Sequence, residues 1–235
     1  MPIPLIPIAI GAAVATIIAY VAKSKGAEKP QVSPPSQRKR RSILERNLAQ
    51  LRFMVEYSAG GKICVLGQPG AGKSALVDML TERACQPRPK IGVGTNATDW
   101  ASQLGCTMVG KFGNWVVVDC PGYGTGSHPT STFVDRFPFD VFTVVVFVLN
   151  TKLRGADDAV AERLKRLSGP ALIVVRNMVD GIESEDETDV QEELRNRHPH
   201  FSANQIMFTS CRDGRGIAEL RRALVEICGA PAPSV

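Results

Sequence analysis

The sequence predicts an α/β fold: a mostly parallel six-stranded sheet with helices on both faces, a three-layer sandwich. Three observations carry that expectation. Short, nearly continuous apolar runs recur along the chain, notably KICVLG, NWVVVDC, FTVVVFVLN and ALIVV. Runs without polar alternation suit strands buried on both faces. Between them lie DDAVAERLKRL, DVQEELRNR and GIAELRRALVEIC, whose spacing reads as amphipathic crossover helices. One glycine-rich loop, Gly67 to Ser74, joins the first run to the helix-forming stretch ALVDMLTERA.

Ahead of this domain the chain changes character twice. Ile3 to Ala22 is twenty residues without a charge, about the length that crosses a bilayer core at 1.5 Å per residue. Cations follow the stretch and none precedes it. Residues 1–22 are therefore expected to be a retained single-pass transmembrane anchor with the main domain on the cytoplasmic side, in preference to a cleaved leader or peripheral insertion. Residues 23–41 read as a basic, Pro-rich linker. Seven Lys and Arg stand there against Glu28 alone, so with a total of +5 the rest of the chain is one charge negative. That balance argues against a nucleic-acid face on the main domain, because phosphate backbones are held by basic patches. The cluster Arg38 to Arg41 suits either anionic headgroups or a topology signal.

Residues 42–59 are expected to form an amphipathic helix, with Leu44, Leu48, Leu51 and Val55 on one face, Ser42 as its cap and Glu45 closing a capping box. Docking on the following domain is preferred over a coiled coil, since only two heptads exist. Residues 60–229 form the main domain, and 230–235 a frayed tail. The six cysteines show no metal-binding spacing and read as free thiols.

Gly67-Gln68-Pro69-Gly70-Ala71-Gly72-Lys73-Ser74 fits G-x-x-x-x-G-K-[ST] at every fixed position, between a strand and a helix beginning Ala75. This is the context of a phosphate-binding P-loop. Glycines let backbone N–H groups turn inward around a phosphate, and the helix adds the positive end of its dipole. Lys73 is expected at the β/γ oxygens and the Ser74 hydroxyl on Mg²⁺. Asp119, ending NWVVVDC, is placed to hold Mg²⁺ through water, and the Gly122 N–H to meet the γ-phosphate. After ALIVV comes Arg176-Asn177-Met178-Val179-Asp180; a carboxylate at Asp180 can accept both N–H donors of guanine. Ser210-Cys211, after QIMFT, offers backbone N–H groups to the guanine O6.

With these four motifs in order, from Lys62 to Cys228, the chain resembles a translation-factor-class (TRAFAC) GTPase domain. DCPGYG is similar both to the immunity-related GTPases and to the Era and TrmE group, and the membrane-associated habit favours the former. The resemblance implies a P-loop NTPase fold, GTP/GDP and Mg²⁺ as ligands, and activation by a homodimer or a protein effector. Between the P-loop helix and the strand that ends in Asp119, GVGTNATDW is expected to hold the first switch. Thr95 and Thr98 compete as its Mg²⁺-ligating, γ-phosphate-sensing threonine, with Thr98 preferred.

Three positions depart from the family pattern. Met178 replaces a lysine whose stem covers the base, and Cys211 replaces an alanine. Tyr123 stands where Ras-like proteins carry a water-orienting glutamine, which predicts slow intrinsic hydrolysis. His128 reads as a solvated loop residue, with a substitute base as the lesser alternative. Lys73, Thr98 and Gly122 are the expected contributors to transition-state stabilisation. A membrane-tethered GTP switch is thus the expectation, with a non-hydrolysing nucleotide-binding module or an ATPase as alternatives.

Overall fold

The computed structural model describes residues 35–92, 98–150, 155–181 and 186–232. The anchor expected at 1–22, the linker as far as residue 34, and Thr95 lie outside the described residues. Among the described residues no helix is long and apolar enough to cross a membrane.

Helix α1 (Pro35–Glu56) leads into strand β1 (Lys62–Gly67) and helix α2 (Lys73–Leu80). A hairpin follows, β2 (Gly110–Phe112) and β3 (Trp115–Asp119), then α3 (Thr130–Arg136), β4 (Val144–Leu149) and α4 (Gly155–Lys165). Strand β5 (Ala171–Arg176), α5 (Asp186–Arg197), β6 (Ile206–Phe208) and α6 (Ile217–Cys228) complete the order. The six strands lie in the order β2-β3-β1-β4-β5-β6, with β2 alone antiparallel to its neighbour.

The start of α1 departs from expectation. The helix begins at Pro35, so Ser42 lies two turns inside it and caps nothing. Proline is tolerated at the first helical position, and the Gln, Arg and Lys that follow are good helix formers. Glu45 meets the side chain of Arg41 at 3.3 Å, one turn earlier, instead of closing a capping box. Arg38 to Arg41 are therefore helical, whereas the sequence suggested a linker.

Strand alternation divides the core in two. Val144, Val146 and Val148 of β4 join Ile63 and Val65 of β1, and pack beneath Leu76, Val77 and Leu80 of α2 and Leu220 and Leu224 of α6. Val145, Phe147 and Leu149 face the other way, under α3, α4, α5 and α1. Leu44, Leu48, Leu51 and Val55 are all buried, so α1 docks on the domain as its apolar stripe predicts. Because β1, β3, β4, β5 and β6 run in parallel, their C-terminal ends gather on one edge of the sheet. Gly67, Asp119, Arg176 and Phe208 end their strands there, the usual place for a ligand in an open α/β sheet.

Candidate functional site

The loop leaving β1 turns through two left-handed glycines, Gly70 (φ 79°) and Gly72 (φ 84°). At Gly72 a side chain would be strained and would also collide, since a Cβ would fall 2.3 Å from the Asn177 amide nitrogen. Behind this turn Lys73 is buried, and its ammonium donates to the Gln68 carbonyl at 2.8 Å. The Ser74 hydroxyl donates to Asp119 Oδ2 at 2.6 Å. Burial pushes the Asp119 carboxyl up and the Lys73 ammonium down from their ordinary values, each opposed by the other's charge.

The second oxygen of Asp119, Oδ1, is buried with no hydrogen-bond partner. An orphaned carboxylate oxygen beside a serine hydroxyl is a hard-oxygen donor pair, which fits Mg²⁺. Thr98 lies on a cavity of about 260 Å³ that is also lined by Gly72, Lys73, Ser74, Gly122 and Met178. Pro69, Gly70 and Ala75 border the same space. The structure thus brings Ser74 and Asp119 into contact and places Lys73, Ser74 and Thr98 on one cavity.

The loop after β3 packs directly on the P-loop. A Cβ at Gly122 would lie 2.4 Å from the Pro69 nitrogen, so only glycine allows this approach. The next residue, Tyr123, is fully buried and turned inward, donating to Asp157 Oδ1 at 2.5 Å. Gln68 donates to the other oxygen of that carboxylate at 2.6 Å. Asp157, in the first turn of α4, therefore bridges the P-loop and the loop of Gly122. His128 corrects its sequence reading, because it is buried and not solvated. Its Nε2 accepts from the Trp100 N–H at 3.1 Å, and burial lowers its pKa to about 4. A base whose lone pair is already committed in this way has none to offer a water.

The opposite end is built around Asn177. Its amide donates to the Ala71 carbonyl at 2.9 Å, and its oxygen accepts from Thr209 at 3.1 Å. Asn177 thus ties the P-loop to the ends of β5 and β6. Met178 adopts a left-handed φ of 61° and is 44% exposed. That conformation costs an ordinary residue about 1–2 kcal/mol, and such outliers gather at binding sites. Asp180 accepts from Ser210 Oγ at 3.3 Å and pairs with Arg212 at 2.9 Å. Cys211 sits 3.8 Å from the Asn177 oxygen, and burial pushes its thiol to about 11, which suppresses thiolate reactivity.

Sequence reasoning missed a second layer. Asn47 is buried on the apolar stripe of α1, donating to the carbonyls of Trp100 (2.7 Å) and Gln103 (2.8 Å) and accepting from the Gly105 N–H. Arg40 pairs with Asp99 at 2.6 Å. Helix α1 therefore grips the segment immediately after Thr98. A polar residue between Leu44 and Leu48, at helical spacing on a buried face, was the available signal.

Residues 62–178 match the family described as "50S ribosome-binding GTPase". The probable GTP-binding protein EngB of Afipia carboxidovorans is 29% identical over 181 residues, covering 72% of this chain and 81% of that protein. GTPase Der of Coxiella burnetii is 24% identical over 193 residues, covering 78% of this chain. The chain spans only 42% of the length of that Der protein. Among solved structures, Era in complex with MgGDPNP and nucleotides 1506–1542 of 16S ribosomal RNA superposes with a TM-score of 0.52 at 19% identity, over 76% of this chain and 60% of that one. A probable GTP-binding protein engB gives 0.52 at 19%, over 71% and 98%. These comparisons support the Era-type side of the resemblance and lend none to the immunity-related side.

Proposed function

We propose, from the GTPase family match of residues 62–178, that this chain binds GTP with Mg²⁺ and hydrolyses it slowly to GDP as a nucleotide-dependent switch. One observation carries the reading: next to the buried Lys73, the Ser74 hydroxyl holds one oxygen of Asp119, and the other carboxylate oxygen is buried without a partner. Lys73 would neutralise the β/γ oxygens, and the glycine turn would present backbone amides to them. Ser74 and Asp119 would hold Mg²⁺, directly and through water, with Thr98 as the third candidate ligand. When bound, the metal supplies charge stabilisation between the β and γ oxygens. Asp180 would read guanine once Arg212 swings away, with Ser210 and Cys211 beside it.

The burial of Tyr123 on Asp157 supports slow turnover, because a tyrosine committed to a buried carboxylate cannot orient a water as a glutamine amide would. A second copy or a protein effector would complete the site. Residues 1–22 would hold the chain to a membrane, with the GTPase domain on the cytoplasmic side and no nucleic-acid partner. The same tyrosine favours the second reading, a binding module that scarcely turns over.

The full chain, solubilised in detergent, distinguishes the two. GTP is expected to bind about a hundredfold or more tighter than ATP in Mg²⁺, with turnover per molecule rising as protein concentration rises. Flat, near-zero turnover selects the binding module. Equal affinity for both nucleotides would remove the guanine assignment, and Asp180→Asn is expected to shift preference toward xanthosine triphosphate.

A further inference from the structure

Away from the nucleotide loops, α4 and the end of α5 bring together Glu162, His198 and His200. One ligand-capable atom from each lies within 4.8 Å of the others. His198 is 95% buried by its side chain, and its Nδ1 stands 3.9 Å from Glu162 Oε1. Neither His198 Nδ1 nor His200 Nε2 has a hydrogen-bond partner, although both are buried atoms.

The outer nitrogens explain which way the lone pairs point. His198 Nε2 lies 3.0 Å from Asp158 Oδ1, and Arg197 holds that carboxylate with two further bonds of 2.8 and 2.6 Å. A carboxylate paired with arginine only accepts, so the proton sits on Nε2 and Nδ1 carries a lone pair. The Nε2 of His200 is likewise buried without a hydrogen-bond partner. His198, pinned through Nε2 by a carboxylate, thus turns a bare Nδ1 toward Glu162, and His200 completes the same cluster of three donors. A metal-binding histidine is commonly held as His198 is, with its other ring nitrogen donating to a carboxylate.

Ring packing alone does not account for it. His198 and His200 stand 5.2 and 4.4 Å from the buried ring of Phe201, which explains their burial. It leaves two orphaned nitrogens that would otherwise each cost about 1–3 kcal/mol.

We propose that Glu162, His198 and His200 form a divalent transition-metal site, suited to Zn²⁺, that pins the end of α5 to α4. Two imidazole nitrogens and one carboxylate oxygen are a common three-residue set, with water as fourth ligand. A tetrahedral ion would draw the three donors to about 3.4 Å apart. Glu162 is the arm that moves, being 47% exposed and only loosely paired with Lys165 at 3.9 Å. Lys165 is 54% exposed and swings into solvent as the ion enters. Asp158 immediately follows Asp157, so the same turn of α4 serves this site and the P-loop bridge.

The test is a Co²⁺ and Zn²⁺ titration of the metal-stripped full chain, with excess Mg²⁺ to satisfy the P-loop. One equivalent of Co²⁺ is expected to give the visible band of a low-coordinate nitrogen–oxygen site, displaced by Zn²⁺. Glu162→Gln changes a half-exposed side chain and leaves the fold intact; it should weaken binding at least tenfold, as should His200→Gln. Asp158→Asn keeps all three ligands yet should weaken binding about 10- to 100-fold. Zn²⁺ should raise the melting temperature of the native chain and not that of Glu162→Gln. Absence of a bound equivalent overturns the proposal, as does binding unchanged in Glu162→Gln and His200→Gln, which would point to the cysteines.

Discussion

The two ends of the nucleotide site are built from different materials. At the phosphate end Lys73 is buried and donates to the Gln68 carbonyl, while Asp119 accepts from the Ser74 hydroxyl. At the base end Met178 is 44% exposed, and Asp180 is held by Arg212, whose side chain is 83% exposed. Charges in a low-dielectric interior interact strongly, whereas surface pairs are worth little. The phosphate end is therefore a rigid, high-stakes electrostatic unit. The base end is a set of small, separable contributions that can be exchanged without unmaking the pocket. Asn177 joins the two by holding the Ala71 carbonyl and the Thr209 hydroxyl at once.

The most direct way to break this contrast is Lys73→Ala. A buried ammonium contributes charge-assisted hydrogen bonds of about 1.5–3 kcal/mol each. Losing two or three of them should lower GTP affinity by at least about a hundredfold. Calorimetry with GTP and Mg²⁺ measures it, and an affinity within tenfold of the native value would deny the phosphate end its dominance.

The buried character of the phosphate end extends to His128, which supports the Trp100 amide two residues beyond Thr98. Its folded pKa of about 4 lies below the ordinary value of 6.5 because burial disfavours the charged ring. Between those pH values the unfolded chain takes up a proton that the folded chain refuses. Stability should therefore fall as pH drops from about 6.5 to 4, by on the order of 3 kcal/mol, and level off below. His128→Gln, which retains an acceptor for the Trp100 N–H, should flatten that slope. Urea denaturation at pH 7 and pH 5 checks it, and equal slopes in the two proteins would show that other groups titrate there.

What the sequence made legible follows from how local each cause is. Strands β1, β3, β4 and β5 were readable because runs such as VVVFVL leave no polar face. The P-loop was readable because its chemistry requires glycines at fixed spacing from one lysine. The start of α1 was not, since a helix entered through Pro35 carries no side-chain cap, and Ser42 offered a false one. The Asp157 bridge and the Asn47 grip were invisible for another reason. Each joins residues far apart in the chain, Gln68 to Asp157 and Asn47 to Trp100, and an acid in a first helical turn already has a local explanation in the helix dipole. His128 misled because its GTGSHPTSTF context reads as exposed loop, and only tertiary packing buries it.

Met178 gives the finest test of the base end. Its methyl group lies over Gly72, where it would stand 3.4 Å from a Cβ on that glycine. A lysine there would carry an apolar stem of similar length and end in a charge. Met178→Lys should therefore keep the stem contact and add only an exposed ammonium, worth a few tenths to about 1 kcal/mol at a surface position. GTP and GDP affinity should rise together by no more than about fivefold, with the preference over ATP unchanged, because the proposed selection of guanine falls to Asp180. Replacement by lysine does not relieve the left-handed φ of 61°, so stability without nucleotide should stay within about 0.5 kcal/mol. A rise of a hundredfold would mean that the base end carries buried, strongly coupled charge after all, and the contrast between the two ends would dissolve.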